Sequence, residues 1–187
     1  MKRTIALFLL LAQLLTGCVA AVVAGAATGL IVYDRRSVAM IERDARIYHL
    51  VHKVIVSDSR FTGSRIVVTV FNQSVLLTGQ IRIASLRVLA EKLVRNVPYV
   101  KRVYNEITID DPRMFAEQSQ DALITAELRA KLVGKKGLES GSIRIVTENG
   151  VVYLVGMVSQ QQANLATEVA RQTQGVRKVV KVFQYIR

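Results

Sequence analysis

Residues 143–156 read IRIVTENGVVYLVG and residues 66–79 read IVVTVFNQSVLLTG, so the chain carries one pattern twice. In each stretch, apolar residues alternate on either side of a short polar segment, Asn149-Gly150 or Asn72-Gln73. Alternation of this kind predicts strands, and Asn-Gly between two strands is a strong signal for a tight turn. Each stretch is therefore predicted to form a β-hairpin, and the two hairpins decide the fold.

The repeat extends beyond the hairpins. A shift of residues 44–96 by 77 positions places Asp44 on Asp121 and Gly79 on Gly156. Both glycines are predicted to end the second strand of their hairpin. In each copy, an apolar stripe of helical spacing precedes the hairpin, another follows it, and an alternating strand closes the copy. The order α-β-β-α-β predicts an α+β fold of two tandem domains, each a three-stranded mixed sheet covered on one face by two helices.

The second helix of each copy supplies predicted core residues. Leu89 and Leu93 belong to an apolar stripe of helical spacing in copy one, and Val169 has the matching role in copy two. Ser159 followed by Gln162 fits a capping box, which predicts the start of the second helix of copy two. The strand order in each sheet and the packing between the copies stay open.

The N-terminus carries a signal of another kind. Met1-Lys2-Arg3 is basic, residues 5–15 are almost wholly apolar, and Leu15-Thr16-Gly17-Cys18 follows. This order of segments predicts a secretion signal. The Leu-x-Gly-Cys ending resembles a lipobox, in which the cysteine is acylated and becomes the first residue of the mature protein. We expect a signal peptide (1–17), a lipidated tether (18–41), a first domain (42–110), a polar linker (111–118) and a second domain (119–187).

Apolar residues continue past Cys18, which leaves a second interpretation open. Residues 4–33 contain no charge and exceed the ~20 apolar residues that span a bilayer, so they could form a signal-anchor helix. The residue after the cysteine is Val19. An Asp at this position would resemble a signal for retention in the inner membrane. By that resemblance, the mature protein is anchored in the outer membrane and faces the periplasm.

Composition limits the remaining possibilities. The chain has 187 residues, one cysteine and a formal net charge of +12. With one cysteine, the chain has no intramolecular disulfide, so packed cores must stabilise it. A basic protein suits either anionic lipid or nucleic acid. The predicted export favours lipid over nucleic acid.

The order of the elements resembles that of the BON domain. Three short sequence segments strengthen the resemblance: Asp34-Arg35-Arg36-Ser37-Val38, Val103-Tyr104-Asn105-Glu106-Ile107 and Thr147-Glu148-Asn149-Gly150. Together with the lipobox, they resemble the dual BON-domain lipoproteins of the outer membrane. The resemblance implies a non-catalytic protein without a cofactor, which binds anionic phospholipid and supports outer-membrane integrity. It also implies a link to the β-barrel assembly machinery and to envelope proteins of the division site.

The same resemblance implies that the first helix of the second domain contacts the membrane. Residues 121–133 align with this helix, and the implied contact residues are Leu123, Ile124, Arg129, Lys131, Lys135 and Lys136. The chain departs from the family at two helical positions. Leu123 stands where the family has tryptophan, and Glu127 stands where it has a basic residue. The alternative is that Leu123 belongs to the core and that the lysines form a solvated face.

Other kinds of site have less support. Gly134-Lys135-Lys136-Gly137 is a G-x-x-G sequence, as in the KH fold, where it clamps a nucleic-acid backbone. An RNA-binding protein is therefore the alternative function, although a KH domain needs a second helix directly afterwards. His49 and His52 have the spacing of zinc ligands, but no cysteine or further histidine completes the set. We find no nucleophile elbow, phosphate loop or cofactor fingerprint.

We expect Cys18 to be acylated and residues 1–17 to be absent from the mature protein. Mass spectrometry of protein extracted from membranes should detect a blocked, lipid-bearing Cys18 at the N-terminus. An intact Met1 terminus would favour the signal-anchor helix. So would a Cys18→Ser variant that stays unprocessed and tightly bound to the membrane.

Overall fold

The structure, a computed structural model, describes residues 34–186, so Cys18 and most of the predicted tether lie outside the described residues. Copy one contains α1 (Val38–Val56), β1 (Arg65–Phe71), β2 (Ser74–Ile81), α2 (Ala84–Arg95), β3 (Arg102–Asn105) and β4 (Thr108–Ile109). Copy two contains α3 (Phe115–Val133), β5 (Ile143–Glu148), β6 (Val151–Val158), α4 (Gln160–Arg171) and β7 (Lys178–Tyr185). Short 3-10 turns at Ser59–Phe61 and Ser140–Ser142 precede β1 and β5.

The predicted α+β fold is confirmed, with one mixed sheet in each copy. β2 is central in the first sheet: it pairs antiparallel with β1 and parallel with β3 and β4. In the second sheet, β6 pairs antiparallel with β5 and parallel with β7. The predicted last strand of copy one is thus interrupted. Asn105 causes the break, because its side-chain oxygen accepts the Ile107 N–H while its amide donates to the Arg87 carbonyl and the Glu91 carboxylate of α2.

The prediction that Gly79 and Gly156 end their strands is wrong. β2 and β6 each continue for two residues beyond the glycine. A Cβ atom on Gly79 would lie 2.0 Å from the Arg65 carbonyl oxygen, and one on Gly156 would lie 2.3 Å from the Ser142 carbonyl oxygen. The glycines allow the start of the neighbouring strand to approach the backbone closely.

Two helices begin earlier than predicted. α1 begins at Val38, inside the predicted tether, where Ser37 Oγ accepts the Met40 N–H at 3.2 Å. α3 begins at Phe115, inside the predicted linker 111–118. Its first turn is closed by Glu117, whose carboxylate accepts the Met114 N–H at 3.0 Å. Methionine is not a typical N-cap residue, so residue type at position 114 does not indicate this start.

Each copy has its own apolar core between its helices and one face of its sheet. In copy one, Ala90 and Val94 of α2 are fully buried, whereas Leu89 and Leu93 are only half-buried beside them. Val169 of α4 is buried in the core of copy two, as predicted. The predicted capping box at Ser159 is also present. Full burial of a large aliphatic side chain stabilises a fold by about 1.5–3 kcal/mol, so each core contributes strongly to the stability of its own copy.

The first helix of each copy binds the turn of its own hairpin through an aspartate. Asp44 of α1 accepts the N–H groups of Asn72 and Gln73 at 2.7 and 2.8 Å. Asp121 of α3 accepts those of Asn149 and Gly150 at the same two distances. All four turn residues have positive φ, between 47° and 66°. Positive φ at both central residues defines the type I′ turn, which matches the twist of the flanking strands.

The second face of each sheet is covered by the other sheet. Phe71 and Leu76 from copy one pack against Tyr153, Val155 and Val182 from copy two. All residues of β2 are therefore buried. Burial in this interface raises the pKa of Tyr153 to about 12, with smaller contributions from the nearby carboxylates, so its hydroxyl stays protonated at neutral pH. Within residues 34–186 the two sheets stay separate, and no strand of one pairs with a strand of the other.

Polar side chains close the edges of this interface. Glu148, which is 6% exposed, accepts hydrogen bonds from Arg65 at 2.6 Å and from Gln80 at 2.8 Å. Gln184 bonds with the Asn72 side chain at 2.6 Å and with the Ser74 hydroxyl at 2.9 Å. A buried carboxylate is costly unless it is paired, so these bonds favour this alignment of the two sheets.

Asp44→Ala should destabilise the protein more than Asp121→Ala. Both changes remove the acceptor of two turn N–H groups, which costs about 1–3 kcal/mol. Asp44 also pairs with the buried Arg36 at 2.9 Å, and breaking a buried pair raises the cost to about 3–5 kcal/mol. Asp121 makes no ion pair within the described residues.

Chemical denaturation of residues 34–187 measures both free energies of unfolding. Glu42→Ala is the matched control on α1, because Glu42 is exposed and its distance to Arg46 is 3.4 Å. This control should change stability by no more than ~0.5 kcal/mol. Equal losses for Asp44→Ala and Asp121→Ala would contradict the additional role of Asp44.

Candidate functional site

An uncharged stripe runs along the solvent-facing side of α3, with exposed charged residues such as Glu127 and Arg129 beside it. Residues spaced by three, four and seven positions lie on this side, as the helical period requires. All of them are exposed, and we call them the α3 stripe: Phe115, Ser119, Ala122, Leu123, Ala126, Ala130 and Val133. A surface helix normally turns a polar face to water. The stripe is therefore an unusual surface, about 27 Å long at 1.5 Å per residue.

The stripe is not part of the core, which lies on the opposite side of the same helix. Ile124, Leu128 and Leu132 are at most 3% exposed and pack against the second sheet. In contrast, Leu123 is 64% exposed and Phe115 is 82% exposed. The alternative that placed Leu123 in the core is thus wrong.

The prediction of Ile124 as a contact residue is also wrong. Ile124 is 3% exposed and belongs to the core of copy two. Neighbouring residues on a helix point about 100° apart, so Leu123 and Ile124 face opposite environments although both are aliphatic. The predicted contact surface therefore keeps Leu123 and loses Ile124.

Basic side chains gather at the C-terminal end of the stripe. Arg129, Lys135 and Lys136 are exposed and make no ion pair within residues 34–186. Lys131 was predicted to belong with them, but its Nζ lies 2.6 Å from Glu127 Oε1, and both side chains are about two-fifths exposed. This pair leaves three unpaired cations beside the stripe, which we call the basic collar.

The loop after α3 presents the two lysines in a tight turn. The Lys135 N–H donates to the Leu132 carbonyl, and the Leu138 N–H donates to the Lys135 carbonyl. Gly137 adopts a φ of +84°, which suits glycine. The chain then enters a 3-10 turn and β5. The helix that a KH domain requires directly after G-x-x-G is replaced by a strand.

Phe115, the largest residue of the stripe, is not among the contact residues predicted from the sequence. It lies in the segment that was assigned to the linker, eight positions before Leu123, which is a spacing that repeats on one helical face. Met114 precedes it and is 69% exposed. An extension of the apolar pattern toward the N-terminus would have identified both residues.

The described residues offer little for other chemistry. No group of three His, Cys, Asp or Glu residues in this part of the chain could hold a metal ion. His49 and His52 both contact the Tyr48 ring, with centroid distances of 5.7 and 5.9 Å. Among residues 34–186, no helix is long and apolar enough to cross a membrane.

Two copies of one α-β-β-α-β unit define the class of protein. Residues 43–111 and 120–187 both match the BON domain, and the chain belongs to the BON-domain family. Within that family, it is a dual BON-domain protein similar to the outer membrane lipoprotein DolP of Haemophilus influenzae. The two are 33% identical over 174 residues, which cover 92% of this chain and 90% of that protein.

Other relatives have varied names. The chain is 37% identical to a 21 kDa hemolysin of Actinobacillus pleuropneumoniae, over 66% of this chain and 63% of that protein. It is 27% identical to the osmotically-inducible protein Y of Escherichia coli, over 73% and 69% of the two chains. A solved structure of CdsD, a structural protein of the type III secretion system of Chlamydia trachomatis, aligns with a TM-score of 0.32 and 14% identity. The alignment covers 75% of this chain and 92% of that one.

Leu123→Asp should leave the fold intact, whereas Ile124→Asp should unfold copy two. The Leu123 side chain is mostly in water, so its replacement should change stability by ~0.5 kcal/mol or less. An unpaired carboxylate at position 124 would be buried in an apolar core, at a cost of several kcal/mol. Circular dichroism with chemical denaturation of residues 34–187 measures both variants. If Leu123→Asp unfolded the protein, the assignment of Leu123 to the surface would be contradicted.

Proposed function

We propose that this chain is a non-enzymatic, lipid-anchored protein of the outer membrane that faces the periplasm and binds anionic phospholipid through the α3 stripe. In this role it supports the integrity of the outer membrane. The observation that carries the proposal is the uncharged, exposed α3 stripe with unpaired cations at one end. A bilayer of anionic lipid matches both parts, because it offers an apolar interior beneath a negative surface.

The lipid at Cys18 and the α3 stripe have different tasks in this proposal. Acyl chains contribute ~0.8 kcal/mol per buried methylene, so a multiply acylated cysteine is already a stable anchor. The stripe does not need to supply membrane affinity in general. It selects anionic lipid and orients the two domains on the membrane surface.

The residues of the stripe and collar support weak binding. Phe115 and Leu123 would each gain up to about 1.5–3 kcal/mol on full burial in an apolar environment. Arg129, Lys135 and Lys136 would each add ~1 kcal/mol close to an anionic surface. Part of this gain offsets the freedom that is lost on binding. Leu123 lacks the amphipathic ring that the family's tryptophan would place at the interface, and the exposed Phe115 adds an aromatic ring on the same face.

The similarity to DolP supports the membrane assignment, because that relative is named as an outer membrane lipoprotein. The β-barrel assembly machinery and division-site envelope proteins stay predicted partners, which the BON-family resemblance implies. Nucleic acid is not among the proposed partners, since the G-x-x-G loop leads into β5 and not into a helix. The arrangement of the described residues supplies no observation in favour of RNA binding.

Residues 34–187 without lipid should bind vesicles that contain anionic phospholipid, and binding should weaken as salt rises. This fragment contains both cores and the interface between the sheets. Leu123→Asp, Phe115→Ser, and Lys135→Glu combined with Lys136→Glu should each weaken binding by about tenfold or more. Cosedimentation with vesicles of increasing anionic content measures the effect.

Val88→Asp is the matched control, because Val88 is an aliphatic residue on α2 with 69% exposure. This change should leave vesicle binding unaltered. If Val88→Asp weakens binding as much as Leu123→Asp, the contact is unspecific and the stripe is not the site. If the unaltered fragment does not bind vesicles of anionic lipid, the departures at Leu123 and Glu127 have removed the family's membrane activity from this chain.

A further inference from the structure

A cleft with a volume of about 400 Å³ opens between α1 and β1 of copy one. Ile41, Ala45 and Tyr48 line its α1 side, and their spacing of four and three residues places them on one side of the helix. Val68 and Val70 line its β1 side. Ile41 and Tyr48 are each about two-fifths exposed, so this largely apolar cleft is open to solvent.

The equivalent place in copy two is bridged by a hydrogen bond. Thr125 of α3 and Thr147 of β5 correspond to Tyr48 and Val70 when the two copies are aligned. Their hydroxyl oxygens are 2.7 Å apart. Val70 has no side-chain donor or acceptor, so copy one cannot form this bridge. The fold therefore does not require an opening between its first helix and first strand, and the residues of copy one create it.

Copy two contributes Arg144 of β5 to the lining of the cleft. Ile143 and Ile145, on either side of it, belong to the core of copy two. Because side chains alternate along a strand, Arg144 points away from that core. Its guanidinium makes no ion pair or hydrogen bond with any side chain of residues 34–186. The cleft thus combines apolar side chains from one copy with an unpaired cation from the other.

The charged groups around Arg144 leave an excess of positive charge. Desolvation and the nearby Arg36 lower the pKa of the Arg144 guanidinium. Arg129 also lowers it, whereas Asp34 and Asp44 raise it. Both aspartates already pair with Arg36, at 2.7 and 2.9 Å, including Asp44, which lines the cleft. Three arginines therefore face two aspartates, and one bound monoanion would balance the charge.

We propose that this cleft binds an amphiphile with a single alkyl chain and a carboxylate head group, the chemistry of a fatty acid. The alkyl chain lies against the apolar residues of α1 and β1, and Arg144 donates two parallel hydrogen bonds to the carboxylate. Sites for small molecules are mostly apolar clefts of about 300–1,000 Å³ with a few polar groups. The volume here is near the lower limit, which suits one alkyl chain better than the two of a phospholipid.

This site goes beyond the proposed function, because it lies in copy one and uses no residue of the α3 stripe. Residues 34–187 contain every residue that lines the cleft and can be studied without a lipid anchor. The unaltered fragment is titrated at neutral pH with decanoate, with decanol and with acetate, and NMR spectra of its backbone amides report binding.

Decanoate should bind about tenfold more tightly than decanol, because the two chains have equal length and only decanoate offers a charged acceptor to Arg144. Acetate, which lacks the chain, should not bind detectably. The amide signals that shift should be those of Ala45, Tyr48 and residues 68–70. Shifts confined to α3 would overturn the proposal, as would equal affinities for decanoate and decanol.

Two variants test the two halves of the site. Arg144→Gln should lower the affinity for decanoate to that for decanol, whereas Arg171→Gln should not. Arg171 is the control because it is an exposed arginine on α4 that makes no ion pair within residues 34–186 and does not line the cleft. A preference for decanoate that survives Arg144→Gln would overturn the role of Arg144 and with it the proposal.

The internal repeat supplies a matched control for the apolar half. Ala45→Phe should fill the cleft and block both decanoate and decanol, whereas Ala122→Phe, at the equivalent exposed position of copy two, should block neither. Equal binding by these two variants would overturn the proposal. Leu123→Asp should bind decanoate normally. A fragment that binds decanoate but no anionic vesicles contradicts only the proposed function, and one that binds vesicles but no decanoate contradicts only this site.

Discussion

A carboxylate on the first helix of each copy holds the turn of the hairpin that follows it. Asp44 and Asp121 each accept two backbone N–H groups from residues in the left-handed conformation. A tight turn of this type has N–H groups that no strand partner can satisfy. The aspartate satisfies them and, in doing so, fixes the position of the helix along the sheet. Each helix then presents one particular side to the core, and the opposite side to water.

This constraint is what makes the α3 stripe a defined surface. Asp121 points to the hairpin, so Ile124, one turn further along the same side, points to the core. The uncharged stripe therefore faces outward, where neither domain covers it. In copy one the corresponding aspartate, Asp44, has an additional role, because it also pairs with Arg36 of the segment that precedes α1. One side chain therefore links the hairpin, the first helix and the segment through which the chain enters the fold.

Much of this architecture is visible in the sequence, and the failures have physical causes. The repeat and the order of elements follow from apolar periodicity, and Asp44 and Asp121 already coincide when the copies are aligned. The sequence does not reveal the roles of Gly79 and Gly156, because the carbonyl groups that crowd them belong to another segment of the chain. Residue type does not distinguish Leu123 from Ile124, because both are aliphatic. Only the orientation of the helix about its axis decides which of them faces water and which faces the core.

The interface between the sheets was not predictable from single positions, because residues such as Phe71 and Tyr153 lie on strand faces that could equally have been solvated. Because of this interface, the two copies of the repeat are not independent modules. A duplicated unit suggests two modules that can be separated, but β2 is buried on both faces. Removal of either copy would expose an aromatic and aliphatic sheet surface to water, which favours association with other chains. A single-domain fragment would then lose activity through aggregation as well as through the absence of a binding site.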